Sequence, residues 1–360
     1  MTARRPRPTA WRSALRIALL STICGTAAAC SSTCRAQPTP AADAAPAEPV
    51  ARIDIQSRGA EPRVLLQIGR WAGLRYTSTF STESSFGLEG GPPVKAPTLV
   101  AALRTEVLHG TADPVVRETD AGTLRLVQER STIGEFGIDP QGLPPAVAEA
   151  ANRNLSLLAG SATLQLVEED GEVVEMRTEL LGGFEPPREV ADALDETLDA
   201  QRRFPFRLPT GPVGVGAKWR FSDPIRLRGI RLTQVADMSL IALDEGSARI
   251  RIRLRLQAPR QEVPHPLDPT ATATLEQYRG DGDGEMRIDR LTGIVLEARV
   301  ATTGTLRLSA LTPQGQKTTT LSAATVLRVT GALTREEPTP SPTDDAGLTT
   351  DAGAGAPDAR

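Results

Sequence analysis

Residues 247–257, SARIRIRLRLQ, decide the fold. Ala248, Ile250, Ile252, Leu254 and Leu256 alternate with Arg249, Arg251, Arg253, Arg255 and Gln257. A period of two sends successive side chains to opposite faces of an extended strand, so one face rests on a core and the other meets water. Strands that are apolar on one face alone imply antiparallel pairing. The same half-buried pattern recurs in TLRLVQE at 123–129, VVEMRTEL at 173–180, IVLEARV at 294–300 and TLRLSAL at 305–311. Turn signals separate such runs: Asp170-Gly171, Asp244-Glu245-Gly246, Asp283-Gly284, Thr292-Gly293 and Pro313-Gln314-Gly315.

Two stretches break the period. PPAVAEAANRNLSLLAG (144–160) opens on prolines, ends at Gly160, and repeats Val147, Ala151, Leu155 and Leu158 at helical spacing. PPREVADALDETLDAQRRF (186–204) repeats Val190, Leu194 and Leu198, with acids early and Arg202-Arg203 late, as a helix macrodipole favours. No fixed-period repeat suggests a propeller or solenoid. The expected fold is mainly β: an antiparallel twisted sheet or half-barrel packed by one or two amphipathic helices, with disordered tails.

The two ends have a different composition. Residues 1–29 carry Arg4, Arg5, Arg7, Arg12 and Arg16 and no acid, followed by the apolar IALLSTICGTAAA. That is the order of a signal peptide, too short to span a bilayer as a stable helix. Its removal changes 41 basic against 44 acidic residues into 36 against 44, a net charge of −8. A chain of that sign is a poor general nucleic-acid binder. RAQPTPAADAAPAEPV (35–50) reads as an extended tether, and EEPTPSPTDDAGLTTDAGAGAPDAR from 336 has the same character with an acidic bias. The expected division is a signal peptide at 1–29, a tether at 30–50, a β-rich body at 51–334 that could hold two sub-domains meeting near 183–212, and a disordered acidic tail at 335–360.

Ala27-Ala28-Ala29-Cys30 resembles a bacterial lipobox, with Ala27 standing where Leu is usual. The resemblance implies cleavage before Cys30 and acylation of its sulfur and amine. Two or three chains make a stable anchor where one is marginal. Ser31 after the anchor implies the outer membrane of a Gram-negative cell; ordinary secretion, with cleavage after Ala29 or Ala36, is the alternative. Cys24, Cys30 and Cys34 are the only cysteines, so the body has no thiol for a disulfide or a metal site.

YRGDGDGEMRIDRLTGIV (278–295) has the composition of a calcium loop. Counted from Asp281, however, the sixth position is Met286 and the twelfth Thr292, and an EF-hand needs Gly and an acid there. The stretch therefore reads as two turns, Gly282-Asp283-Gly284 and Asp289 to Gly293, with EMRID between them. His109 and His265 are the two histidines, the latter in the proline-crowded VPHPLDP, taken as a loop, and there is no G-x-S-x-G. No catalytic residue, metal or cofactor is expected. A carboxylate-based hydrolase would need two acids with separated pKa values, and none is identifiable.

The binding candidate is the stripe Arg249, Arg251, Arg253 and Arg255, about 7 Å apart on one face, extended by Arg226, Arg228 and Arg231 on a neighbouring strand with Gly229 as a bulge. Such a face suits an anionic glycan or lipid through bidentate contacts. The alternative is a solvated face neutralised by Glu276, Glu285, Asp289 and Glu297. Trp71, Trp219, Tyr76, Phe80, Phe204, Phe206 and Phe221 are expected as core anchors.

Pro212-Val213-Gly214-Val215-Gly216-Ala217-Lys218-Trp219, with the Asp289–Gly293 hairpin, resembles an uncharacterised family of secreted bacterial lipoproteins with a domain of unknown function. The resemblance implies a β-rich body and carries no activity. Its outline is similar to half-barrel lipoprotein carriers that hold acyl chains on a concave sheet. The expected role is non-catalytic binding or presentation at the cell envelope, toward a glycan, lipid or envelope protein; the alternative is a half-barrel carrier of an apolar ligand.

Overall fold

The structure, a computed structural model, describes residues 52–66, 69–119, 122–168, 171–181, 207–227, 230–265, 268–312 and 315–334. The signal segment, Cys30, the tether, the stretch 186–204, Phe204, Phe206, Arg228, Gly229 and the acidic tail lie outside the described residues.

Among the described residues fifteen strands and one α-helix follow in order: β1 Arg52–Ser57, β2 Arg75–Leu88, β3 Val94–Lys95, β4 Leu99–His109, β5 Val115–Thr119, β6 Gly122–Ile138, α1 Pro145–Leu155, β7 Ala162–Val167, β8 Val173–Glu179, β9 Lys218–Leu227, β10 Ile230–Leu243, β11 Ser247–Ala258, β12 Gln261–His265, β13 Asp268–Asp289, β14 Val295–Thr312 and β15 Gly315–Thr334. They form one antiparallel sheet in the order β1-β9-β10-β11-β13-β14-β15-β2-β4-β6-β7-β8, with β12 on β13, β3 on β2 and β5 on β6. β1 pairs with β9 and β15 with β2, so one sheet joins the chain on both sides of 183–212.

The pattern read in SARIRIRLRLQ is the pattern of β11. Ile250 and Ile252 are fully buried, Leu254 and Leu256 nearly so, and the four arginines between them are exposed. Each buried aliphatic side chain contributes roughly 1.5–3 kcal/mol relative to exposure. The buried face continues through Trp219, Met238 and Leu240 on one side and Met286, Val300, Val329, Phe80, Leu103, Ile133 and Phe136 on the other.

The sheet is curled rather than flat. Among the described residues no ladder joins β8 back to β1, so it stops short of a closed barrel. Glycines allow part of the bend. Gly280, Gly282 and Gly284 share the concave face of β13 with the positions opposite Leu256, Leu254 and Ile252. A Cβ on Gly282 would lie 2.6 Å from the Ala301 carbonyl oxygen, and one on Gly284 2.4 Å from that of Arg299. Only bare backbone fits there. Tyr278, almost fully buried, lies over Gly280 and Gly304 and supplies the missing apolar cover.

This overturns one expectation. Gly282-Asp283-Gly284 is no turn but the middle of a 22-residue strand. Glycine marks a turn only when its freedom in φ is used, and here its lack of a side chain is used instead. Residues 295–300 and 305–311 likewise belong to one strand, β14, and the described part of VPHPLDP is strand: Val263 to His265 close the short β12 and Asp268 opens β13, with which β12 pairs, while 266–267 lie outside the described residues. A proline is tolerated there because β12 lies off the main strand order. The second expected turn is present. Asp289 Oδ1 accepts from the Leu291 and Thr292 amides and the Thr292 hydroxyl, and Gly293 has φ +67°.

The helix expected at 144–160 forms α1 and a following 3₁₀ turn, with Gly160 at φ +85° after it. Ala148, Ala151, Leu155 and Leu158 are buried against the sheet while Val147 is half-buried. In the family-like segment, Gly216 takes φ +85° and Trp219 two turns of the pleat later is buried. Trp71 departs from expectation: it is 53% exposed, because its loop turns the neighbouring Arg70 inward instead.

Candidate functional site

Antiparallel register arranges the outer face of the curled sheet. Asp54, Arg220, Asp237, Arg253 and Asp283 stand side by side across β1, β9, β10, β11 and β13, alternating in sign. Asp237 accepts from Arg220 Nε at 2.7 Å and from Arg255 Nη2 at 2.8 Å. Partial burial alone would raise the Asp237 pKa; the two guanidinium bonds outweigh it and hold the carboxyl below the usual carboxylate range.

One row along, the balance changes. Arg251 pairs with Glu285 at 3.3 Å and Arg287 with Glu297 at 3.9 Å, but Arg249 faces Arg287 and Arg299 faces Arg328 across their ladders. Arg328 is paired with Glu83. Between these rows lies a depression of about 810 Å³ floored by Gly284 and Ala301, with Arg249, Arg251, Arg253, Arg287 and Arg299 around it against Asp283, Glu285 and Glu297. Arg249, Arg253 and Arg299 make no ion pair among the described residues.

The stripe is thus split. Arg251 and Arg255 are neutralised, while Arg249 and Arg253 have no ion-pair partner among the described residues. Of the acids expected to neutralise it, Glu285 does so; Glu276 pairs with Arg260, Glu297 with Arg287, and Asp289 caps its turn. Arg231 extends the same face, opposite Arg226 in register. Asp237, Arg287 and Arg299 were missed from sequence. Each carries the outward parity of its strand, so strand pairing was the missing information.

A second group of charges lies inside. Arg70 pairs with Glu129, and the two are 4% and 0% exposed. Glu129 Oε2 also accepts from Tyr76 Oη at 3.1 Å and Gln165 Nε2 at 2.7 Å, and Arg70 Nε donates to the Thr292 carbonyl at 3.4 Å. Burial pushes the Tyr76 hydroxyl well above its ordinary range, which keeps it protonated and donating. This carboxylate is fully buried and both of its oxygens accept hydrogen bonds, so it acts as a staple. It ties the 69–74 loop and the β13–β14 turn to β6, although β15, β2 and β4 separate β14 from β6 in the sheet.

His109 approaches Asp113 at 3.6 Å on the exposed surface. Among the described residues no group of three or more His, Cys, Asp or Glu side chains converges as metal ligands would. The inner face of β9, β10, β11 and β13 is filled by its own side chains, with Trp219, Met238, Leu240, Ile250, Ile252 and Met286 at most 2% exposed.

No family model matches the chain, and no curated protein matches it. Among solved structures it has a faint likeness to an outer membrane channel from Pseudomonas putida F1 at 10% identity, covering 77% of this chain and 99% of that one with a TM-score of 0.20. The P. putida toluene transporter TodX is similar at 10% identity, covering 73% and 91% with a TM-score of 0.17. Likeness at that level carries no argument. The strands of this chain have their own polarity: β11 turns aliphatic side chains inward and arginines outward, the reverse of the apolar outer band of a membrane barrel.

Proposed function

We propose that this chain is a lipid-anchored protein of the bacterial cell envelope whose curled sheet is a non-catalytic binding module for anionic groups, held on the outer arginine face. The anchor is argued from sequence: a basic n-region, a short apolar stretch and small residues before Cys30. The tether that follows lifts the body from the membrane.

The observation that carries the binding reading is the split stripe. A face that serves only solubility spreads its charges in opposite-sign pairs, as the row from Asp54 to Asp283 does. The depression instead sets five guanidinium groups against three carboxylates and leaves Arg249, Arg253 and Arg299 without ion pairs among the described residues. Guanidinium forks of this kind match phosphate, sulfate and carboxylate groups bidentately.

The test compares Arg249→Ser/Arg253→Ser with wild type on immobilised sulfated polysaccharide at low and physiological salt. Both side chains are exposed and make no ion pair among the described residues, so the fold should be unaffected. Retention should fall and its salt dependence should flatten; identical elution of the two proteins would end the binding reading. Palmitate labelling of wild type against Cys30→Ser tests the anchor separately.

A further inference from the structure

The staple has an inverted neighbour. Arg70 is buried and Trp71, next to it, is 53% exposed, the opposite of the usual preference of the two side chains. The loop carrying them is fixed on both sides. Gly69 N–H donates to Leu291 O at 3.1 Å, Gly73 N–H to Val107 O at 2.8 Å, and Thr111 N–H to Arg70 O at 2.7 Å. Close by, Val64 and Val213 exchange backbone hydrogen bonds, and Gly216 N–H donates to Leu240 O. These segments cover one end of the curled sheet, where the β10–β11 and β13–β14 turns also lie.

From that end project Leu65 (41% exposed), Trp71, Leu108 (38%), Val215 (45%) and Leu291 (69%). They are five of the eleven large apolar side chains exposed among the described residues, gathered on one pole. Scattered exposure of single apolar residues is ordinary, whereas concentration on one rigid end is not.

We infer that this pole docks on a lipid bilayer, with Trp71 and Leu291 entering the boundary between headgroups and acyl chains. The inference rests on the proposed anchor at Cys30. The 22 residue-to-residue steps from Cys30 to Arg52 span at most roughly 75 Å, and β1 runs toward the pole, with Ser57 opposite Lys218 at its far end. The anchor therefore keeps the bilayer within reach, and a tethered surface needs only weak contacts to stay engaged. Tryptophan suits the interface because its ring is apolar and its N–H is not. Separate prongs on several turns can each enter a fluid surface, while a stable protein interface wants a continuous face of about 800 Å² per partner.

The two tryptophans beyond the signal segment make the test direct, because Trp219 is 1% exposed and Trp71 is the accessible one. Full-length acylated protein is placed in phosphatidylcholine vesicles with and without brominated acyl chains. Brominated lipid should quench the Trp71 component of the emission, and Trp71→Phe should remove the quenchable component while leaving that of Trp219. Leu291→Ser should weaken the quenching. Equal, small quenching in wild type and Trp71→Phe overturns the inference. So does a blue shift of Trp71 that follows protein concentration or an added envelope protein and ignores lipid, since another chain then covers the pole. Absence of palmitate label with persistent quenching on added vesicles removes the anchor and retains the docking; label without quenching does the reverse.

Discussion

Arg207 and Glu172 form an ion pair between the two ends of the sheet. Arg207 lies before β9 and over the Phe221 ring at 5.8 Å, whereas Glu172 lies in the turn between β7 and β8. Along the main order the strands from β10 to β6 separate β9 from β7, so the pair can form only because the sheet has curled nearly all the way round. Ile53 and Ile55 of β1, Met176 of β8 and Leu180 just after it pack on the same core. The seam is thus closed by side chains, where a barrel would use backbone hydrogen bonds.

A seam of that kind should open first. Glu172→Ala is expected to raise hydrogen exchange in β8 and in residues 207–213 while the exchange of β11 and β13 stays as it is. Glu172 is 40% exposed on its side chain, so solvent screening limits the global cost to about 1 kcal/mol or less. Uniform exchange across the sheet in the variant would show that the seam does not open by itself.

The buried staple predicts a larger effect. Glu129→Ala leaves the Arg70 guanidinium uncompensated in a dry site and should cost about 3–5 kcal/mol in urea unfolding. Arg70→Met combined with Glu129→Gln removes both charges and keeps an acceptor for Tyr76. Gln165 Oε1, a buried oxygen without a partner among the described residues, also gains a nearby donor. The double variant should recover most of the loss. If it is as unstable as Glu129→Ala, the charges themselves are not what the site requires.

Much of this architecture was legible in the sequence, and its failures share a cause. The parity of Ile250, Ile252, Leu254 and Leu256 gave the strand, its buried face and the antiparallel pairing, because alternation is a local property. Asp289 to Gly293 and α1 were local too. Gly282 and Gly284 were misread because a glycine that admits a tight bend looks, in one dimension, like a glycine that makes a turn. Trp71 was misplaced because its loop is set by its neighbour Arg70, whose buried partners Glu129 and Thr292 lie 59 and 222 residues away. The arginine stripe was visible, but which arginines are free depends on Asp237 and Glu285, and only register across neighbouring strands decides that.

The glycines in β13 give a contrast that separates the two roles. Gly284→Ala forces a Cβ to within 2.4 Å of the Arg299 carbonyl oxygen and 2.9 Å of Val300 Cα, both on the neighbouring strand. It should destabilise by about 1–3 kcal/mol, within the range of overpacked sites. Gly246→Ala, in the β10–β11 turn, meets nothing within 4 Å and should be neutral or slightly stabilising. Equal urea midpoints for the two variants would remove the bending role assigned to Gly284.

Tyr76 sets an alkaline limit. Burial raises its folded-state pKa above the ordinary value of about 10. The folded protein therefore keeps the proton where the unfolded chain releases it. Its contribution is complete below about pH 10 and is lost as pH rises through that value toward the folded one, at up to about 1.4 kcal/mol per pH unit. Tyr76→Phe should flatten that share of the decline in a series of urea melts across alkaline pH. An unchanged slope would mean that the phenol is not held as the hydrogen bond to Glu129 requires.

Asp237 links acid stability to binding. Its carboxylate is held below the usual range by Arg220 and Arg255 against the opposing effect of burial, so its contribution is present above the unfolded value of about 4 and disappears as pH falls through the depressed folded value. Asp237→Asn should abolish that part of the acid decline and cost less than about 1 kcal/mol at neutral pH, where the pairs are partly screened. It also frees two guanidinium groups on the outer face. Retention on sulfated polysaccharide should therefore rise, opposite in sign to Arg249→Ser/Arg253→Ser, and the rise should shrink with salt. A protein that merely sticks through net charge would respond alike to an acid removed anywhere on its surface. Glu106→Gln, at the exposed Arg75 pair on β4, makes the same change in charge and supplies that control. Equal gains from the two variants would show that the outer arginine face has no special part in binding.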